Sequence, residues 1–279
     1  MKILLLGKEG QLGWELQRTL APLGQVFAYN RKEFDLNVID SLRAYIRQLR
    51  PTHIVNAAAY TAVDKAATDR ELAFQINATA PGLLAEEARN LDAWLVHYST
   101  DYIFDGKKNG AYDEDDHPVP LNDYGKSKLA GEEAVQAAGE KYLILRTSWV
   151  YGLRGKNFLN TMLQLLEQNK ELKVVNDQFG SPTWSRLIAE ATAQILVQDH
   201  PYAGVYNLSC SGKTSWYEFA KSIFAYLDRV AHLSPISSAQ YPSKTIRPAN
   251  SVLSNAKIGR DFGIFLPSWE KALKLCLES

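Results

Sequence analysis

The sequence predicts an α/β protein with a doubly wound parallel sheet and a smaller C-terminal lobe. In the first half, short apolar runs alternate with segments of helical periodicity, as in consecutive βαβ units. These runs place apolar residues at consecutive positions, which is typical of strands covered on both faces. A chain of 279 residues can bury both a main domain and a second lobe. We place the main domain at residues 1–150 and the smaller lobe mainly at 151–279, with some of its segments returning to the main domain.

The individual elements follow from the same patterns. Apolar runs predict strands at Lys2–Leu6, Gln25–Tyr29, His53–Asn56, Trp94–Tyr98 and Tyr142–Thr147. Helical periodicity begins near Leu12, Ile39, Glu71 and Gly125. After Tyr151 we predict helices at Phe158–Asn169, from Ser185, and from Ser215 to Leu227, with a short strand at Leu172–Asn176. Ser215 and Glu218 have the spacing of a capping box. Pro235–Ser251 contains three prolines and predicts a loop over a site.

The composition excludes several classes of partner. Thirty-one basic residues balance thirty-one acidic ones, so no overall field would attract nucleic acid or an anionic membrane surface. No segment is long and apolar enough for a signal-peptide core or a membrane span, and we therefore expect a cytoplasmic protein. Cys210 and Cys276 have neither metal-ligand spacing nor a disulfide framework, so we interpret both as buried or incidental thiols.

A glycine-rich loop lies between the first strand and the first helix. The stretch "LLLGKEGQLGWEL" places Gly7, Gly10 and Gly13 there, with Gln11 and Leu12 opening the helix. Such glycines allow a tight turn and a close approach of a diphosphate to the backbone, and the helix N-terminus offers free N–H groups. The spacing is G-x-x-G-x-x-G rather than G-x-G-x-x-G. In this context it predicts a Rossmann-like dinucleotide site.

The end of the second strand bears on the choice of cofactor. An acidic residue there usually binds the adenosine ribose of NAD, whereas a basic residue accommodates the phosphate of NADP. Here Asn30 stands in the acidic position, and Arg31 and Lys32 follow it. This favours NADPH, with NADH as the alternative if the two basic side chains are ordinary solvated charges. Asp35, next to Leu36, either contacts the adenine edge or caps a turn.

Two further motifs point to chemistry at the carboxyl ends of the strands, where doubly wound sheets bind ligands. The fourth strand ends in Ser99, Thr100 and Asp101. Downstream, Tyr124 and Lys128 are four residues apart on a predicted helix and therefore share one face. Taken alone, that spacing favours an ordinary solvated lysine and a chance placement of the tyrosine.

Together, the glycine loop, the strand-end Ser/Thr and the Tyr-x-x-x-Lys motif resemble the extended branch of the short-chain dehydrogenase/reductase superfamily. Longer segments resemble one family within it, the dTDP-4-dehydrorhamnose reductases. They are "NAAAYTAVDKAA" from Asn56, "HYSTDYIFDG" from His97, "RTSWVYG" from Arg146, "NDQFGSPT" from Asn176 and "RPANSVL" from Arg247. The resemblance spans essentially the whole chain.

The resemblance implies a dinucleotide-binding domain and a substrate-binding lobe. It also implies that the protein reduces the C4 ketone of dTDP-6-deoxy-L-lyxo-4-hexulose to give dTDP-L-rhamnose. Tyr124 would be the general acid, and Lys128 would lower the pKa of its phenol and hold the nicotinamide ribose. Thr100 would donate a hydrogen bond to the ketone oxygen. Residues near the nicotinamide and ribose would be Ala59, Tyr60 and Thr61. Residues near the nucleotide sugar would be Asp101, Trp149, Asn157, Asp177, Gln178 and Arg247, for each of which a core or surface role is the alternative.

Other activities remain open from the sequence. Related dehydratases carry Glu after the Thr-Asp pair, where this chain has Tyr102, which disfavours elimination. A reductase or epimerase for another nucleotide-linked 4-keto sugar is one alternative, and a non-catalytic regulatory NADP-binding subunit is another. The resemblance also allows a homodimer around Mg²⁺. Glu15 could be a ligand, but Arg186 stands where a second carboxylate is expected, so the metal is left unknown.

Overall fold

The computed structural model describes residues 1–168, 171–198, 202–229, 232–243 and 245–279. Its strands are β1 (Lys2–Leu6), β2 (Gln25–Tyr29), β3 (His53–Asn56), β4 (Trp94–Thr100), β5 (Tyr142–Thr147), β6 (Val150–Tyr151), β7 (Leu172–Val175), β8 (Phe179–Gly180), β9 (Thr183–Trp184), β10 (Gly204–Asn207), β11 (Thr214–Ser215) and β12 (Leu233–Ile236). Its α-helices are α1 (Gln11–Leu20), α2 (Ile39–Leu49), α3 (Arg70–Phe74), α4 (Ala80–Asn90), α5 (Asp123–Ala138), α6 (Phe158–Glu167), α7 (Ser185–Leu196), α8 (Trp216–Tyr226), α9 (Ala256–Phe262) and α10 (Trp269–Leu277).

The main sheet has six parallel strands in the order β10-β5-β4-β3-β1-β2. From β1 the chain first adds β2 on one side and then crosses to add β3 on the other. The order therefore switches between β1 and β3, and ligands of doubly wound sheets bind at such a point. The predicted fold class is confirmed.

The sheet is covered on both faces because its strands are apolar on both. Ile3 and Leu5 of β1 pack in one core with residues of α1 and α7. Leu4 and Leu6, which point to the opposite face, pack in a second core with residues of α2 and α4. This two-sided packing explains why the strand runs lack the alternation of half-exposed strands.

The predicted bounds of β1, β2, β3 and β5 match the structure, and β4 continues two residues past the predicted Tyr98 to Thr100. The helix predicted from Glu71 is divided by a π-helical turn at Gln75–Thr79. Pro81 lies at the start of α4 and cannot donate a backbone hydrogen bond, which is consistent with the break. The helix predicted to Asn169 ends at Glu167, and Asn169 lies outside the described residues.

The second lobe has its own core and short two-stranded sheets. Side chains of α6, α8 and α10 pack around Tyr151, Phe219 and Trp269. The strand pairs are β6 with β9, β7 with β12, and β8 with β11. The prediction of a loop throughout Pro235–Ser251 is wrong at its start, because β12 pairs in parallel with β7 up to Ile236. Among the helices of the described residues, none has the length and apolar character needed to cross a membrane.

Candidate active site

The glycine loop contacts the loop that follows β3. Gly7 has φ +86°, and a Cβ there would lie 2.7 Å from the backbone nitrogen of Ala58. A Cβ at Gly13 would lie 2.0 Å from the carbonyl oxygen of Gly7. Gly10 is the N-cap of α1 and has no side chain to cap it, so the N–H groups of Gln11, Leu12 and Gly13 in the first turn are available to an anion. This backbone cradle at the switch point fits the diphosphate of a dinucleotide.

The end of β2 is organised by Asn30. Its Oδ1 accepts hydrogen bonds from the backbone N–H groups of Lys32 and Glu33, and its Nδ2 donates to Glu9 Oε1 at 2.6 Å. The exposed Arg31 lies 3.5 Å from Asp35, measured from Nε to Oδ2. Asp35 Oδ1 also accepts from the N–H of Asn37, which is the turn-capping alternative considered above. Leu36 is buried in the core.

The loop after β3 is held by a buried asparagine that the sequence reading did not identify. Asn77, in the π-helical turn, accepts from the N–H of Tyr60 at 2.9 Å and donates to the carbonyl oxygen of Tyr60 at 3.0 Å. The phenol of Tyr60 donates to Asp69 at 2.8 Å. Ala59 is half-buried and Thr61 is exposed in the same loop. Asn77 stands directly between the apolar residues Ile76 and Ala78, and this was the available signal for it.

At the end of β4, Thr100, Asp101 and Tyr124 form a connected group. Thr100 Oγ1 donates to Asp101 Oδ1 at 3.1 Å, and Ser148 Oγ donates to Asp101 Oδ2 at 3.0 Å. Asp101 is 2% exposed, and burial raises its pKa to about 6. Both carboxylate oxygens thus have donors inside the protein. This placement favours a role in holding Thr100 over the predicted contact with the sugar.

Burial raises the pKa of Tyr124 to about 12, an effect that a hydrogen bond with Thr100 opposes and the charge of Asp101 reinforces. The expectation that Lys128 lowers this pKa is therefore wrong. The phenol stays protonated throughout the physiological range, which is the form that a proton donor needs.

Lys128 is 2% exposed and points toward β4. Its Nζ donates to the carbonyl oxygen of Tyr98 at 2.6 Å and lies 3.2 Å from His97 Nε2. Burial lowers the pKa of Lys128 to about 8, which the charge of Glu132 opposes. His97, for which the sequence predicted no role, is thus in direct contact with the proposed catalytic lysine.

Helix α5 carries Tyr124 and Lys128, and contacts on either side of these two residues hold the helix in place. Asn122 Oδ1 caps it by accepting from the N–H of Gly125 at 2.9 Å. Further along, Glu132 forms a buried ion pair with Arg146 of β5, with 2.7 Å between Oε2 and Nη2. A buried pair of this kind fixes the orientation of the helix because losing one partner leaves an unpaired buried charge.

An aromatic platform lies on the side of the second lobe. The rings of Trp149 and Trp216 stack with centroids 3.4 Å apart. Trp149 has φ +47°, and a Cβ at Gly180 would lie 2.4 Å from its ring. The indole is half-buried, so part of its surface remains available to a sugar.

Three of the other predicted substrate residues, Asn157, Asp177 and Arg247, have hydrogen-bond partners within the protein. Asn157 caps α6 and donates to Gln11 Oε1 at 2.9 Å, which links the second lobe to the glycine loop. Asp177 accepts from the N–H and hydroxyl of Ser238, and Gln178 lies half-buried beside it. Arg247 Nη2 lies 3.0 Å from both carboxylate oxygens of Asp64.

The carboxylate proposed as a metal ligand is paired with a cation. Glu15 Oε2 lies 3.3 Å from Arg186 Nε. Within the part of the chain that the structure describes, there is no group of three or more His, Cys, Asp or Glu residues that could hold a metal ion. The structure therefore adds no support for Mg²⁺.

The whole chain matches the family model described as the RmlD substrate binding domain, over residues 1–279. It is 46% identical to a dTDP-4-dehydrorhamnose reductase of Burkholderia thailandensis, covering 99% of this chain and 98% of that one. It is 44% identical to the enzyme of the same name from Salmonella typhimurium, covering 99% and 97%. A crystal structure of a Bacillus anthracis dTDP-4-dehydrorhamnose reductase in complex with NADP superposes with a TM-score of 0.95, at 36% identity and full coverage of both chains.

Proposed function

The chain belongs to the RmlD family of dTDP-4-dehydrorhamnose reductases, and we propose that it reduces the C4 ketone of dTDP-4-dehydrorhamnose with NADPH to give dTDP-L-rhamnose. The observation that carries this proposal is the protonated phenol of Tyr124, which shares a hydrogen bond with Thr100 and lies one helical turn from the buried amine of Lys128. A ketone reductase needs such a proton donor, because the oxygen gains negative charge as the hydride arrives.

The cofactor site would be formed by the backbone cradle at the switch point. The N–H groups of the first turn of α1 would bind the diphosphate, and Gly7 and Gly10 leave room for it. Asn30 presents no charge that would repel a 2′-phosphate, and Arg31 and Lys32 add positive charge beside it. When bound, NADPH supplies the hydride for C4.

The residues of this chain would carry the proton. Tyr124 would donate its phenolic hydrogen to the C4 oxygen, so that the ketone gains one hydride and one proton in total. Lys128 would return a proton to the phenolate that is left. Thr100 would orient the C4 oxygen after exchanging its hydrogen bond to Asp101 for one to the substrate.

The nucleotide sugar would lie between the two lobes. We propose that its sugar ring packs against the platform of Trp149 and Trp216. Arg247 is the candidate for binding the diphosphate, since a guanidinium can bind phosphate oxygens in pairs. To bind the diphosphate, the guanidinium of Arg247 would have to leave Asp64 or contact both groups at once.

The assay follows the loss of nicotinamide absorbance when purified protein is mixed with NADPH and dTDP-4-dehydrorhamnose, with the product identified by mass and by NMR. Turnover to dTDP-L-rhamnose is the expected result. A panel of other dTDP- and UDP-linked 4-keto sugars would test the choice of substrate. Binding of NADPH without turnover of any of these sugars would contradict the proposal and favour a regulatory subunit.

A further inference from the structure

A buried hydrogen-bond chain connects the backbone after β3 to the amine of Lys128. Asn56 and His97 are directly paired in the register of β3 and β4, and each is 1% exposed. Asn56 Oδ1 accepts from the N–H of Ala58 at 3.2 Å, and Asn56 Nδ2 lies 3.2 Å from His97 Nδ1. On its other side, His97 Nε2 lies 3.2 Å from Lys128 Nζ.

This chain fixes the tautomer of His97. A backbone N–H can only donate, so the amide of Asn56 must turn its oxygen to Ala58 and its nitrogen to His97. His97 Nδ1 then accepts a hydrogen bond, and the single proton of the neutral ring lies on Nε2, facing Lys128. Complete burial and the charge of Lys128 both lower the pKa of His97 well below its ordinary value, so the ring is neutral.

The fixed tautomer discriminates between the two forms of Lys128. A neutral amine has a lone pair that can accept the Nε2–H, while one of its own hydrogens bonds the carbonyl oxygen of Tyr98. An ammonium has three donors and no acceptor. Its N–H groups would therefore meet the Nε2–H of His97, and these two donors would have no acceptor between them. Every group in the chain is satisfied only when Lys128 is neutral.

The remaining groups around Lys128 do not impose this preference. Glu132, on the same helix, favours the ammonium, but its carboxylate is already paired with Arg146 of β5. Tyr124, one turn away, is an uncharged phenol. On the β4 side, Tyr98 contributes a carbonyl oxygen that accepts from either form of the lysine.

We propose that His97, held as the Nε2–H tautomer by Asn56, is a positioning residue that orients Lys128 and makes its amine exchange protons near neutral pH. An ammonium that is held less tightly protonated is a stronger acid, so it passes its proton more readily to the phenolate of Tyr124. His97 would therefore act through Lys128 and need not touch the substrate. The role in catalysis rests on the proposed reductase function, whereas the tautomer and its effect on Lys128 do not.

The decisive variant is Asn56→Asp. A carboxylate accepts from both sides, so it keeps the bond to Ala58 and draws the His97 proton to Nδ1. His97 Nε2 then accepts from the ammonium of Lys128. Gaining a hydrogen bond to a charged group should raise the pKa of Lys128 and shift the alkaline limb of the kcat profile upward by about one to two pH units.

Asn77→Asp is the matched control for burying a carboxylate near α5. Asn77 donates to Ser127, the neighbour of Lys128, and its other hydrogen bonds are to the backbone of Tyr60. Its replacement should leave the tautomer of His97 unchanged and produce a smaller shift than Asn56→Asp. A second variant, His97→Gln, removes the ring N–H and can turn its amide oxygen to the ammonium, so it should also raise the pKa of Lys128.

The tautomer and the lysine are measured directly by ¹⁵N NMR of labelled protein without added cofactor, with His97 assigned by its loss in His97→Gln. The expected results are Nε2–H in the wild type, Nδ1–H in Asn56→Asp, and a higher titration midpoint for Lys128 Nζ in both variants. Nδ1–H or imidazolium in the wild type would overturn the proposal, as would an unmoved Lys128 midpoint in folded Asn56→Asp and His97→Gln. Absence of reductase activity in the wild type would instead overturn the proposed function, and the NMR titration would still decide this inference.

Discussion

The hydroxyl of Thr100 donates to the buried carboxylate of Asp101, with 3.1 Å between Thr100 Oγ1 and Asp101 Oδ1. Because Ser148 donates to the other oxygen, the carboxylate orients Thr100 from inside the protein. Burial makes the ionised form costly and raises the pKa of Asp101 from 3.8 to about 6. Asp101 thus orients the hydroxyl of Thr100 at the expense of stability.

Asp101→Asn should change how the free energy of unfolding depends on pH. A carboxyl group whose pKa is raised in the folded state binds more protons folded than unfolded between pH 3.8 and about 6. The wild type should therefore gain stability relative to Asp101→Asn as the pH falls through this window, by about 3 kcal/mol in all. Urea denaturation at pH 4, 5, 6 and 7 measures this difference, and parallel curves for the two proteins would contradict it.

Lys128→Met should separate stability from activity. The pKa of Lys128 falls from 10.5 in an exposed lysine to about 8, so the wild type carries a penalty for the buried charge below pH 8. That penalty disappears as the pH rises from 8 to 10.5, because in this window only the unfolded chain still holds the proton and unfolding becomes less favourable as protons become scarcer. The variant should lose turnover but be more stable at pH 7, by up to about 3 kcal/mol. Wild-type stability that stays flat between pH 8 and 10 would contradict this account.

Arg31→Ala/Lys32→Ala tests the predicted preference for NADPH. Both side chains are exposed at the end of β2, where the adenosine ribose is expected. Exposed charges contribute little, so the KM for NADPH should rise by no more than about tenfold while the KM for NADH stays unchanged. Lys107→Ala, at another exposed lysine, is the control. An unchanged ratio of the two constants would remove these residues from cofactor selection.

Arg247→Met and Asp64→Asn should act in opposite directions on substrate binding. The guanidinium is shared with Asp64, so removing that carboxylate leaves more of its charge for a diphosphate. Asp64→Asn should lower the Kd for dTDP in calorimetric titration, and Arg247→Met should raise it at least about tenfold. If both variants weaken binding equally, the pair serves as a structural clamp instead of a phosphate site.

The sequence predicted those parts of the molecule that depend on local signals. Continuous apolar runs fixed the bounds of β1, β2, β3 and β5, and Ser215 caps α8 by accepting from the N–H of Glu218. The strand β10 was missed because "GVYN" has only two apolar residues and becomes a strand by pairing with β5, some 60 residues away in the chain.

In the site, too, local motifs were predicted and contacts between distant segments were not. Tyr124, Lys128 and Thr100 belong to recognisable motifs, but their partners are set by packing between distant segments. The contact of Lys128 with His97 joins residues 31 positions apart, and the Arg247 to Asp64 pair spans 183. The pKa of Tyr124 was predicted with the wrong sign because the motif suggests a nearby cation, whereas the desolvation that dominates depends on the completed fold.

Tyr124→Phe is the most direct test of the proposed general acid. The change removes one hydroxyl and keeps the ring, which packs edge-on against Tyr102 with centroids 5.6 Å apart. Folding and NADPH affinity should therefore be close to wild type. Turnover should fall by about 10²- to 10⁴-fold, equivalent to roughly 3–5 kcal/mol of transition-state stabilisation.

The pH profile of Tyr124→Phe distinguishes loss of the acid from loss of geometry. If Tyr124 is the donor, the residual rate depends on protons from water and should lose the alkaline limb associated with the Lys128–Tyr124 pair. Tyr102→Phe is the matched control, since it removes the hydroxyl of the neighbouring ring and should retain most of the turnover. Cofactor titration alongside kcat would separate binding from chemistry. If Tyr124→Phe kept more than about a tenth of wild-type turnover, the proton would have to come from another group at the end of β4.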